Sequence, residues 1–515
     1  MKNPCVYIVG AGPGDPSLIS VRGRRYLERA EVVVHDHRVA AGTLRLARAD
    51  AEKIDVGPAA PRQLDQEAIS ILIAEKIREG KTVVRLKLGD PFVFDSGGKE
   101  ALLLHEQGIP YEVVPGIPTV IGGMAYAGIP ITYPGAGDVV VLVRGNEGET
   151  DAAPSVDWGR LAGLAGTIAC YAGPRQVGAI ADALIAHGRP ADESSALVYR
   201  ATTASQKTIG AALGDLASQA IAGEPALMVV GAVVGLREHL RWFDNRPLFG
   251  RKIVVTRSRE QGEELIEMLE ARGAEAIPAP MIRIAPPQDA GPLEDACANA
   301  GAYDWVVFTS ANAVESFMST LLQRGDVRDL KGVRICAVGP ATAARVERYG
   351  MRVNAVPAEH HAEGVLEMLT AAGPLSGKRF LLPRSDIARD LIGEELRRAG
   401  ADVSEVAAYR TTTVVREPNG DHDIYRMLLE RQIDAVTFTS ASTVRNFVQI
   451  YGEDQAVDLL GTTVVACIGP VTAEAAQQLG VQTTVMPEKY TVPDLVDALV
   501  NYFQRKGTEP DDART

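Results

Sequence analysis

Aromatic side chains are scarce in this sequence: Phe, Trp and Tyr together make up 5% of its 515 residues. Cysteine is scarcer still, with thiols only at Cys5, Cys170, Cys297, Cys336 and Cys467. They lie far apart, with no CxxC pair and no histidine at ligand spacing, which argues against both a disulfide framework and a metal site. An odd number of separated thiols suits reduced, buried cysteines in a cytoplasm. Long hydrophobic runs are missing too. The longest, ALMVVGAVVG from Ala226, falls well short of the ~20 residues of a membrane span. No basic segment with an apolar run precedes the strand-like VYIVG at Val6, so secretion and membrane insertion are not expected and a cytoplasmic protein is. Positive charge is in deficit: 53 Lys and Arg against 66 Asp and Glu leave a net charge of −13. That disfavours nucleic acid or an anionic membrane as a general partner.

What is present is the composition of a soluble globular protein, 46% hydrophobic and 23% charged, long enough for two or three domains. Strand-like runs such as VYIVG, VVRLK, VVVLVRG and ALMVVGAVV alternate with helix-like segments. That rhythm is the mark of an α/β architecture. It breaks between Leu236 and Lys252, where aromatics, charges and Pro247 crowd together before a new strand opens at KIVVTRS. The expected organisation is a domain over 1–245, a second over 246–505 and a disordered polar tail over 506–515.

The second domain repeats itself. FTSANAVESF from Phe308 returns as FTSASTVRNF from Phe438, and VGPATA returns as IGPVTA, both 130 residues on. Another echo links Arg257 with Arg384 and Gly273 with Gly400, each 127 residues apart. Such self-similarity marks an internal duplication, and two α/β lobes facing one another create a cleft for a small molecule. Each FTS and each GP-x-T ends an apolar strand, where hydroxyls and helix N-termini collect at the carboxyl edge of a sheet. Thr309, Ser310, Thr342, Thr439, Ser440 and Thr472 are therefore candidate substrate ligands. For Thr309, Ser310, Thr439 and Ser440 the alternative is simple helix capping.

In this order VVTRS, VVFTSANAV, AVGPATA, LLPRS, EVAAYRT, FTSASTV and CIGPVTAEA resemble uroporphyrinogen-III synthase over about Arg246 to Phe503. The resemblance implies a two-lobed fold without a cofactor that closes hydroxymethylbilane into uroporphyrinogen III with inversion of ring D. It makes Tyr409 the candidate proton donor, the alternative being a packed tyrosine at a strand end. Arg257 and Arg384, with Arg410 and Lys378, become candidate partners of substrate carboxylates.

In the first domain VGAGPGDP (Val9 to Pro16) joins a strand to a helix start, but a dinucleotide fingerprint needs a glycine where Asp15 stands. With RLKLGDPFVF (Arg85 to Phe94), YEVVPGIPTVIGGMAYAGIPIT (Tyr111 to Thr132) and CYAGPRQ (Cys170 to Gln176), this stretch resembles the tetrapyrrole methylases, most closely uroporphyrinogen-III C-methyltransferase. The resemblance implies two α/β lobes holding S-adenosylmethionine between them, a tetrapyrrole substrate methylated at C2 and C7, and a homodimer through this domain. It assigns the cofactor to Pro13, Leu88, Gly89, Asp90, Val93, Pro118, Thr119, Ala172 and Ala201, and proton acceptance to Asp36, whose alternative role is to cap a turn. The product of one half would be the substrate of the other.

The match is broken at chosen places. Leu88 stands where the family writes glycine, and Pro58 where it writes a lysine proposed as proton donor, leaving Arg62 as the loop's cation. FGRGG becomes FDSGG at Phe94–Gly98, and Pro118, Ala172, Pro134 and Arg200 replace other family residues. The sequence thus supports three readings: a bifunctional enzyme, a synthase whose first domain only binds, docks or dimerises, or a protein that methylates at a different position or on a related macrocycle.

Overall fold

The computed structural model describes residues 5–48, 50–57, 64–145, 150–257, 259–357, 362–386, 391–413 and 423–507. Among them the strands are β1 (Val6–Gly10), β2 (Val32–His35), β3 (Glu52–Asp55), β4 (Val83–Lys87), β5 (Tyr111–Val114), β6 (Val140–Arg144), β7 (Thr167–Ala172), β8 (Ser194–Tyr199), β9 (Lys207–Ala212) and β10 (Ala226–Val230) in the N-terminal half. The C-terminal half contains β11 (Lys252–Val255), β12 (Glu275–Pro278), β13 (Ile282–Ala285), β14 (Trp305–Phe308), β15 (Arg334–Ala337), β16 (Arg379–Ser385), β17 (Asp402–Thr413), β18 (Ala435–Phe438) and β19 (Val464–Cys467).

The N-terminal half forms two sheets. The first is parallel, in the order β3-β2-β4-β1-β5. Its central strands are buried on both faces because helices cover both sides. The second, β6-β7-β10-β8-β9, is parallel only between β6 and β7 and antiparallel elsewhere. The helix Thr119–Tyr126 follows β5 of the first sheet yet packs Val120 and Met124 against Ala169, Ala196 and Leu227 of the second. That helix joins the two lobes.

In the C-terminal half the duplication does not map one copy onto one lobe. The sheets run β12-β11-β18-β19 and β13-β17-β16-β14-β15. The first lobe therefore takes its opening strand pair from the first copy and its FTS and GP-x-T strands from the second. The other lobe does the reverse. β11 lies beside β18 with Ile253 opposite Ala435, and β16 lies beside β14 with Phe380 opposite Trp305. The exchange follows from a crossover: β12 leaves its sheet and continues as β13, which runs antiparallel to the end of the long β17. A two-stranded ribbon thus links the carboxyl edges of both lobes. The core is correspondingly local, with Phe438 and Phe447 edge to face in one lobe and Phe308 and Phe317 in the other.

The expected boundary falls on a strap that touches both halves. Trp242 Nε1 donates to the Ala125 carbonyl at 2.9 Å, and the Arg246 guanidinium lies 4.7 Å from the Trp242 ring centroid. Phe243 meets Phe249 edge to face at 5.3 Å. Across the halves, Arg45 reaches Glu270 at 3.6 Å. The last helix, Val492–Gly507, runs past the boundary expected at 505; 508–515 lie outside the described residues, as do Pro58 and Arg62.

Cys170, Cys297, Cys336 and Cys467 are buried and Cys5 is half-buried; burial pushes Cys170 and Cys336 up to about 12. No helix among the described residues is long and apolar enough to cross a membrane.

Candidate functional sites

In the N-terminal half the turns that follow β1 and β4 grip one another. Gly12 N donates to the Gly89 carbonyl at 3.2 Å and Gly89 N to the Gly12 carbonyl at 2.8 Å. Both glycines have positive φ, +80° and +68°, which a side chain rarely adopts. Gly116 sits so close that a Cβ there would lie 2.1 Å from the Gly89 carbonyl oxygen. Asp90 fastens the assembly, accepting from Gly116 N at 3.0 Å and Phe92 N at 2.8 Å. Its carboxylate is thus spent on backbone amides.

Pro13, Leu88 and Val93 belong to these two turns, and Pro118 and Thr119 open the helix behind Gly116. Ala172 closes β7 from the second lobe, almost fully buried. Ala201 meets the first turn directly: its carbonyl would be 2.8 Å from a Cβ on Gly14. The structure therefore gathers Pro13, Leu88, Gly89, Asp90, Pro118, Thr119 and Ala201 around the junction of the lobes. Asp15, the residue that spoils a dinucleotide fingerprint, accepts from Ser17 N and from the Tyr126 hydroxyl, both at 2.8 Å.

Asp36 follows β2 on the same edge, with 28% of its side chain exposed. Arg85 Nη2 donates to its Oδ1 at 2.5 Å and Leu88 N to its Oδ2 at 3.4 Å. Beneath it lies a cluster that sequence reasoning missed. The side chains of Arg85, Lys87 and Glu100 are 2%, 1% and 1% exposed. Lys87 Nζ reaches Glu100, Asp95 and Ser96 Oγ at 3.0 Å each, and Asp36 at 3.8 Å. Although burial opposes ionisation, Arg85 and Lys87 hold the Glu100 carboxyl down at about 2. The signal was available: charged residues alternate with apolar ones in VVRLK, in a central strand buried on both faces.

In the C-terminal half Ser310 and Ser440 are both helix caps, accepting from Ala313 N at 3.1 Å and Thr443 N at 3.3 Å. Ser310 does more. Its Oγ lies 3.1 Å from the Tyr409 hydroxyl, and Tyr409 is 8% exposed. Thr309 and Thr439 precede the caps, half-buried, while Thr342 and Thr472 are buried in the first turns of the GP-x-T helices. All follow the carboxyl ends of their strands, one set on each lobe.

Arg257 follows β11 on that edge, and burial lowers its pKa against the pull of Glu264. Arg384 is paired with Glu405 of β17, to which Arg397 also binds at 2.5 Å. Arg410 is exposed on β17. Lys378 is elsewhere: it precedes β16, at the opposite edge, and pairs with Asp304 at 2.9 Å. An aromatic absent from the sequence reading stands at the rim, where exposed Tyr490 packs over Gly469 at the start of a GP-x-T helix.

Comparison with known proteins bears on both halves. The tetrapyrrole (corrin/porphyrin) methylases match residues 5–217, and uroporphyrinogen-III synthase HemD matches residues 263–497. The porphyrin biosynthesis protein HemD of Ruminiclostridium josui is 35% identical over 97% of this chain and 98% of its own. The uroporphyrinogen-III C-methyltransferase of Bacillus subtilis is 33% identical over 69% of this chain and 74% of its own. A solved structure of uroporphyrin-III C-methyltransferase from Thermus thermophilus, complexed with S-adenosyl homocysteine, is 35% identical and covers 45% of this chain and 99% of its own, with a TM-score of 0.39. The chain belongs to the family of the porphyrin biosynthesis protein HemD, a tetrapyrrole methylase joined to a uroporphyrinogen-III synthase.

Proposed function

We propose that the chain catalyses two consecutive steps: cyclisation of hydroxymethylbilane to uroporphyrinogen III in the C-terminal half, and methylation of that product at C2 and C7, to precorrin-2, in the N-terminal half. The observation that carries this reading is the relative aligned through both halves. The two sites described above support it.

In the C-terminal half the Tyr409 hydroxyl, with Ser310 Oγ at 3.1 Å, would hand a proton to a departing hydroxyl. Arg257 and the paired hydroxyls of the two lobes would hold substrate carboxylates, so that much of the acceleration comes from folding the chain of pyrroles. No cofactor enters this step.

For the N-terminal half, small buried Ala172 and Ala201 and the glycine turns at Gly12 and Gly89 suit a nucleoside-type cofactor lying between the lobes. Pro13, Leu88, Gly89, Asp90, Val93, Pro118, Thr119, Ala172 and Ala201 would hold it. S-adenosylmethionine supplies an electrophilic methyl group when bound. Asp36, partly exposed beside these turns, accepts the proton that the macrocycle loses for each methyl gained. Two copies of the chain would pair through this half, which sedimentation of the full chain tests.

The decisive experiment is anaerobic incubation of the full chain with hydroxymethylbilane and S-adenosylmethionine, followed by mass and isomer analysis. The reading expects the type III isomer carrying two added methyl groups. Type III product without methyl gain would leave a synthase whose first domain binds without transferring.

A further inference from the structure

The cluster beneath Asp36 contains two cations, Arg85 and Lys87, and three carboxylates, Asp36, Glu100 and Asp95. Lys87 is buried with three hydrogens to give, and three acceptors stand at 3.0 Å: Glu100, Ser96 Oγ and Asp95 Oδ1. Asp95 Oδ1 also accepts from Ser96 N at 2.5 Å. Among the described residues no hydrogen bond reaches Asp95 Oδ2, and the side chain is 21% exposed. Arg85 is committed to Glu100 and Asp36. Two cations cannot neutralise three carboxylates, and Asp36 and Asp95, 28% and 21% exposed, leave the surplus charge only partly solvated.

We propose that Asp95 holds the surplus proton of this cluster and serves as a positioning acid that keeps Asp36 ionised and ready to accept. The proposal rests on the methylation reading and deepens it. At rest Asp36 is a carboxylate and Asp95 a carboxylic acid. When Asp36 takes the proton released by the macrocycle, Asp95 gives its own to water through its exposed edge. The return of the proton from Asp36 to Asp95 restores the pair, so one proton leaves per methyl transferred. Burial, and beyond it the charge of Asp36, raise the Asp95 carboxyl against the pull of Lys87. The other groups that face it are Glu100 and Ser96 from the following helix. Asp95 stands where the methylase pattern has glycine, in the chain whose loop lysine is replaced by Pro58.

The test is infrared difference spectroscopy of the full chain, wild type against Asp95→Asn, over pH 5 to 9. Folding of the N-terminal half is checked by hydrogen exchange in β4 and its neighbours. The expected result is a protonated-carboxyl C=O band at neutral pH in the spectrum of the wild type minus that of Asp95→Asn, where the contribution of Glu270 cancels. It should also vanish in Asp36→Asn, because two cations then face two carboxylates and Asp95 ionises. A difference spectrum, wild type minus Asp95→Asn, without that band at neutral pH overturns the proposal. This readout needs no methyl transfer, so failure of the methylation reading would show separately, as a band without product.

Discussion

Ser310 Oγ and the Tyr409 hydroxyl meet at 3.1 Å, although 99 residues separate them. One caps the helix of the first FTS motif; the other lies on β17, the strand that leads to the inter-lobe ribbon. Each constrains the other, so the hydroxyl of a nearly buried tyrosine is held in one direction.

Removing that hydroxyl in Tyr409→Phe should lower cyclisation by about 10²-fold, the usual contribution of a positioned proton donor. Stability should fall by only ~1 kcal/mol for the lost hydrogen bond. The rate of type III formation and the thermal midpoint check the two numbers separately. A tyrosine that only packs would leave the rate near wild type.

Lys87→Met should destabilise the N-terminal half by roughly 3–5 kcal/mol, because Asp95 and Glu100 lose a buried partner. Urea unfolding followed by hydrogen exchange would place the loss in β4 and its neighbours. Glu100→Gln should cost less than Lys87→Met, since Asp95 can then give up its proton and pair with Lys87 in place of Glu100.

Gly116→Ala would put a methyl group 2.1 Å from the Gly89 carbonyl. The turns must then separate, at about 1–3 kcal/mol. Methyl transfer should be lost while cyclisation by the same chain persists. Equal loss of both activities would contradict the independence of the two sites.

The contact between the halves should respond to pH. Burial, eased by Arg45 and reinforced by Asp15, Glu267 and Glu275, pushes the Glu270 carboxyl up to about 7. In the unfolded chain a glutamate ionises near ~4.3. Between these values the folded chain binds the additional proton, so this contribution is fully present below ~4.3 and is lost as pH rises through about 7. Thermal midpoints across that window should fall with rising pH in the wild type and flatten in Glu270→Gln.

The α/β alternation, the two-part division and the two family likenesses were legible in the sequence because strand period, glycine turns and repeated motifs are local signals. The serine caps were legible as an alternative for the same reason. What escaped depended on distant partners. Nothing near Lys378 says that it lies at the wrong edge of its sheet, and nothing near Asp95 says that Lys87 points at it. The exchange of strands between lobes was hidden for a similar cause: two copies with equal periodicity pair with each other as well as with themselves, and only the β12–β13 crossover decides.

That exchange bears on how the chain comes off the ribosome. The N-terminal half closes its sheets with strands that all precede residue 231, so it can fold while the rest is still being made. The lobe begun by β11 cannot: Thr256 Oγ1 bonds to the Thr437 carbonyl, 181 residues later. Its first strand stays without its inner neighbour until nearly the whole synthase half has emerged, and so distant a pairing is slow to form. A finished N-terminal half strapped to this unfinished one through Trp242 gives the late strands an ordered surface beside which to assemble.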